Sequence, residues 1–88
     1  MYRLLTKKQF LRASSKLIKD SPDLDPKLSV ILEKLKEDPF TPSLKTHKLK
    51  GRMQGKYACS FTYDLRIIFE LVNDTLHLLD IGSHDEVY

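Results

Sequence analysis

Five side chains in the second half of this chain are of the types that handle phosphate esters: Arg66, His84, Tyr88, Asp64 and His47. Arg66 stands second in the run Leu65–Val72, which is apolar apart from it and Glu70. A guanidinium is a fixed fork of donors that matches a phosphate or a developing phosphorane. The ordinary alternative is a pair with Glu70 on the same strand face. His84 follows the last apolar run, just past Gly82. An imidazole titrates near neutrality, so it can give a proton to a leaving oxygen or take one from a hydroxyl. A tail histidine without a role is the commoner case. Tyr88 can stack on a base or orient a phosphate, or it is a loose end. Asp64 can accept a proton or hold a histidine in one tautomer, although turn aspartates usually serve only the turn. His47 lies in a basic stretch from which it can touch a scissile group, whereas His77 reads as a strand residue.

The basic stretch is the second signal. The net charge is +3 and the pI about 9.0. No acidic residue occurs between Asp38 and Asp64, and Lys45, Lys48, Lys50, Arg52 and Lys56 all fall in that interval. Such a stripe suits sequence-independent phosphate binding, because each neutralised phosphate releases condensed counterions. Lysines guarding a strand edge against aggregation are the bland reading. Paired cysteines, a His-Glu-x-x-His run and a glycine-rich phosphate loop are all missing. A nuclease built from these residues is therefore expected to need no metal or other cofactor. Its nucleophile would be the 2′-hydroxyl of RNA, giving a 2′,3′-cyclic phosphate and a 5′-hydroxyl.

Positioning these groups requires a sheet. Leu65, Ile67, Phe69 and Leu71 alternate with Arg66, Ile68, Glu70 and Val72, and a strand so apolar on both faces belongs in mid-sheet. Tyr57–Thr62 and Thr75–Ile81 read as its neighbours, joined by turns at Tyr63-Asp64 and Asn73-Asp74. Lys45–Lys56, punctuated by Gly51 and Gly55, reads as an edge strand with a hairpin. Upstream, Thr6-Lys7-Lys8-Gln9 has the form of a capping box opening a helix over residues 7–20. Asp25-Pro26 opens a second helix, in which Leu28, Ile31, Leu32 and Leu35 form the apolar stripe, and Asp38-Pro39 ends it. Tyr2–Leu5 is a short first strand. The expected architecture is α+β: two helices, after that strand, packed on one face of a three- to four-stranded antiparallel sheet.

A chain of 88 residues makes one domain, 1–88, with a modest core. The single Cys59 allows no internal disulfide and fits a reducing cytosol. The N-terminus has no signal-peptide pattern, and no apolar run reaches the roughly 20 residues of a membrane span. A cytoplasmic protein with no membrane partner is expected.

Leu49-Lys50-Gly51, the Tyr57–Thr62 strand, Asp64–Phe69 and the closing Leu79–Tyr88 together resemble the RelE/ParE superfamily of toxins. Within it the chain is most similar to the RelE, YoeB and YafQ group, and the resemblance spans nearly its whole length. It implies a RelE-like fold and a type II toxin that enters the ribosomal A site and cuts mRNA there. A cognate antitoxin would neutralise it, the toxin being a monomer alone or a hetero-oligomer with that antitoxin. By position, His84 matches the C-terminal general acid and Tyr88 the aromatic residue behind it. Arg66 matches the strand arginine of RelE and YoeB, which YafQ lacks. His47 and Asp64 match YafQ positions implicated in catalysis. Where YafQ has a second strand histidine this chain has Ser60, which leaves His47 and Asp64 as contenders for general base. The five basic residues would hold mRNA or ribosomal RNA phosphates. Two alternatives stand beside this: a ParE-like gyrase inhibitor, and a degenerate homologue that only binds its antitoxin.

Overall fold

Leu65–Val72 forms the middle strand, β4, of a five-stranded sheet in the computed structural model, which describes all 88 residues. The other strands are β1 (Arg3–Thr6), β2 (His47–Lys48), β3 (Tyr57–Ser60) and β5 (Thr75–Ser83), and the spatial order is β1-β5-β4-β3-β2. Four strands form the expected antiparallel meander. The fifth, β1, adds to its edge in parallel with β5, with Arg3 opposite Thr75 and Thr6 opposite Leu78. The sheet is therefore mixed and has one strand more than the expected maximum. A four-residue strand carries no pattern that announces its partner, and β1 makes its pairing across most of the chain length.

Two helices, α1 (Lys8–Asp20) and α2 (Leu24–Glu37), cover one face. Their starts differ from the expected ones. Thr6 is held by the sheet, so α1 begins after Lys7 with no side-chain cap. Before α2, Leu24 N–H bonds to the Ser21 carbonyl and Asp25 N–H to that of Pro22. That turn runs straight into the helix and places Pro26 third in it, still within the first turn, where a missing N–H costs no intrahelical bond. None of the helices is long and apolar enough to cross a membrane.

Between the helices and the sheet lies the main core, built on Phe10, Leu28, Leu35, Leu44, Ile67, Phe69, Leu76, Leu78 and Ile81. Phe69 is fully buried, with its ring stacked on Tyr57 at 5.5 Å. Phe69→Ala is expected to cost about 3–5 kcal/mol, the usual loss for emptying a buried phenylalanine site. Urea denaturation at constant m-value would check it.

Leu78 and Ile81 both face this core although their spacing violates strand alternation. A β-bulge explains it: Ile68 pairs with Asp80 but Phe69 with Leu78, leaving Leu79 as the extra residue. Asp80 Oδ1 accepts the Ile81 N–H at 2.8 Å. The slip turns Leu79 to the far face and fixes which side Gly82 presents.

That far face is only partly open. Ala58, Ile68 and Val87 form a second, small cluster there, with Leu49, Met53 and Leu79 against it. Val87 belongs to α3 (His84–Val87), a single helical turn not foreseen from the sequence.

Candidate active site

Register places the strand arginine. Arg66 lies opposite Ser60 on β3 and Gly82 on β5, so the three form a row across the far face. Gly82 has no side chain for a physical reason. A Cβ there would meet Glu86 Oε1 at 3.0 Å and Val87 Cγ1 at 3.2 Å. The terminal turn thus packs directly onto the backbone beside Arg66.

The turn is fastened by its own capping box. Ser83 Oγ accepts the Glu86 N–H at 3.4 Å, and Glu86 Oε1 accepts the Ser83 N–H at 2.8 Å. These bonds hold the Glu86 carboxyl below its ordinary pKa, the backbone bond first and the hydroxyl second. A depressed carboxylate stabilises the fold above the usual carboxylate range, and the gain is lost as pH falls through its folded value. The expected result is a terminal turn that loosens in acid while the sheet stays intact. Loss of the Tyr88 ring-current shift on the His84 ring protons, followed by NMR below about pH 4.5, would report it.

His84 is the first residue of the turn and points outward, with 73% of its side chain exposed. The Tyr88 ring meets it edge-on, 4.2 Å between centroids at 71°. Burial raises the Tyr88 hydroxyl's pKa, against the opposing pull of Arg66. Tyr88 is therefore not a loose end: it abuts the imidazole and limits its orientations.

Arg66 is pinned rather than paired. Its Nη1 donates to the carbonyls of Thr62, Tyr63 and Leu65 at 3.2, 3.2 and 3.0 Å. It makes no ion pair with Glu70, and Nη2 and Nε keep their donors free. Asp64 accepts from Thr62 Oγ1 at 3.0 Å, as a turn aspartate does, but touches no histidine.

Arg66, Asp64 and His84 line one open cleft of about 770 Å³, together with Ser60, Thr62, Tyr63, Ser83 and Asp85. Lys45, held at φ 52°, reaches its rim. Tyr88 borders an adjoining depression with Lys50 and Arg52, and Lys50 continues into a third with Lys48 and Lys56. The basic residues thus lead away from the cleft. His47 does not join it. It sits opposite Ala58 on the edge strand, with Nδ1 3.2 Å from the Lys45 carbonyl. Sequence reasoning missed Tyr63, Gly82 and the Ser83–Glu86 clamp. The last had a readable signal, Ser-x-x-Glu, in a run too short for helical periodicity.

Cys59 lies beneath Ser60 in the main core, where burial pushes its thiol up to about 12. It is a core residue.

The family model described as the bacterial toxin of a type II toxin–antitoxin system, YafQ, matches residues 2–88. Among solved structures, a metal-bound toxin from Helicobacter pylori shares 31% identity over 100% of both chains, with a TM-score of 0.83. YafQ from Escherichia coli strain BL21(DE3) superposes with a TM-score of 0.82 at 19% identity, over 100% of this chain and 99% of that one. The toxin in the E. coli DinJ–YafQ toxin–antitoxin complex gives 0.80 at 20% identity, over 99% and 97%. None of the curated proteins matches in sequence. The last two likenesses concern the fold, which is RelE-like.

Proposed function

Because the chain belongs to the YafQ family of bacterial type II toxin–antitoxin toxins, we propose that it is a metal-independent endoribonuclease that cuts mRNA in the ribosomal A site. The observation that carries this reading is the convergence of Arg66, Asp64 and His84 on one cleft. Transfer of a phosphate to an internal hydroxyl needs a base, an acid and a stabiliser of charge, and a carboxylate, an imidazole and a cation can fill those roles.

Cleavage begins when the Asp64 carboxylate takes the proton of the 2′-hydroxyl and the 2′-oxygen bonds to the adjacent phosphorus. The free donors of Arg66 hold the two non-bridging oxygens as charge grows on them. The bond from phosphorus to the 5′-oxygen breaks, and a protonated His84 gives that oxygen its proton. A 2′,3′-cyclic phosphate and a 5′-hydroxyl remain. Tyr88 keeps the imidazole turned toward the leaving group. Of the two contenders for general base, Asp64 is favoured because it lines the cleft and His47 does not. Lys45, Lys48, Lys50, Arg52 and Lys56 guide the backbone of mRNA or ribosomal RNA along the loop beside Tyr88. His47, on the same stretch, serves binding.

The partner that silences it is a cognate antitoxin, by analogy with the E. coli DinJ–YafQ toxin–antitoxin complex. Leu5, Leu11, Val30, Phe40 and Val72 remain exposed on two strands, both helices and a connector, and offer apolar contacts to an antitoxin helix. The site of action is the cytoplasm, where translation occurs.

The test is primer extension on a reporter mRNA after induction in cells. Cuts within the reading frame that stop when translation is blocked support the proposal. Growth arrest with intact mRNA would redirect it to gyrase, and no effect at all to a degenerate homologue.

A further inference from the structure

Of the two large aromatic side chains of the cleft that this chemistry leaves unused, Phe61 is buried in the main core and Tyr63 is not. Tyr63 stands on the turn between β3 and β4 and is 98% exposed, yet it lines the same cleft as Arg66 and His84. The fold gains nothing from its ring. Tyr57, by contrast, stacks on Phe69 in the core, and Tyr88 is engaged edge-on with His84. Tyr63 is therefore the aromatic of the cleft with both faces free.

Its backbone is fixed as firmly as its ring is free. The Tyr63 carbonyl accepts from Arg66 Nη1 at 3.2 Å. On either side, Thr62 Oγ1 donates to Asp64 Oδ1 at 3.0 Å, and the Thr62 carbonyl also accepts from Arg66. The residue that carries the ring is thus tied to the guanidinium that faces the phosphate.

We propose that Tyr63 is the base-stacking residue of this cleft: a nucleobase next to the scissile phosphate lies on its ring while Arg66 holds the phosphate. This rests on the ribonuclease reading and gives it a substrate element, an unpaired nucleotide with its base splayed out. Stacking on an aromatic side chain is tolerant of sequence because every base has a π-face, and purines gain most from it. The common anchor on Arg66 makes base and phosphate one geometric unit. Losing the base contact then misplaces the phosphorus relative to His84.

The test is cleavage of mRNA on programmed ribosomes by wild type, Tyr63→Ala, Tyr63→Phe and Tyr63→Trp. Each is also given an mRNA with an abasic nucleotide beside the scissile phosphate. Tyr63→Ala is expected to lose about tenfold to a hundredfold in kcat/KM, the range of one base–aromatic stack. Tyr63→Phe and Tyr63→Trp should stay within about threefold of wild type, because the stacked face is retained. The abasic mRNA should cost wild type as much as the alanine change does, and cost Tyr63→Ala nothing more. A merely structural residue would not produce that non-additivity. If wild type cuts and Tyr63→Ala cuts equally well, or the two losses add in full, the inference fails alone. If wild type leaves the mRNA intact, the ribonuclease reading fails and takes this inference with it.

Discussion

A His84→Ala chain is expected to cleave mRNA at least a hundredfold more slowly than wild type while folding as well. General acid catalysis by a positioned side chain contributes about 10²–10⁴ in rate, and the proposed mechanism gives that role to His84. Its removal should leave the fold alone. The side chain is mostly exposed and its neighbours are Tyr88 and an exposed Asp85, with no part in either core cluster. The turn itself is held by Ser83, Glu86 and Val87, none of which needs the imidazole. His84→Gln keeps a polar group of similar reach without a titrating proton and should be as slow. Single-turnover cleavage on programmed ribosomes, beside thermal melting of both variants, separates chemistry from folding. A rate within tenfold of wild type would remove His84 from the general-acid role.

The reason this side chain was legible lies in β4 and β5. Leu65–Val72 alternates on both faces, so its central place could be read, and the turn at Asn73-Asp74 sends the next strand back beside it. Any residue just past the end of that strand must then arrive near the start of β4, where Asp64 and Arg66 stand. The helices were legible for the same reason, since Leu28, Ile31, Leu32 and Leu35 repeat at helical spacing. What escaped was everything fixed by a partner distant in sequence. β1 finds β5 through backbone bonds that carry no side-chain signature. The bulge at Leu79 breaks strict alternation, so a period of two assigns the residues beyond it to the wrong face. The terminal turn owes its position to Gly82 and Val87 as much as to its cap. His47 illustrates the limit for the site. Its residue type suited the chemistry, but a two-residue edge strand placed it beside the basic stretch and not in the cleft.

Arg66→Ala should slow cleavage by about 10²–10³, the loss typical of one preorganised donor to developing charge. The value of this arginine comes from how it is held. Three carbonyls restrain Nη1 of a side chain that lines the cleft, so Nη2 and Nε can meet charge on the phosphate without breaking a bond to the protein. Arg66→Lys should recover little, because an ammonium is a point donor on a flexible stem and cannot satisfy those carbonyls and grip two oxygens together. The pH profile distinguishes this loss from that of His84. A guanidinium stays protonated throughout the accessible range, so its removal should lower the rate at every pH without altering the profile's shape. Losing the general acid should instead change the profile's shape, because the proton donor to the leaving oxygen is gone. An Arg66→Ala profile that changes shape would mean that the arginine acts by setting the ionisation of its neighbours in the cleft, and not by holding the phosphate.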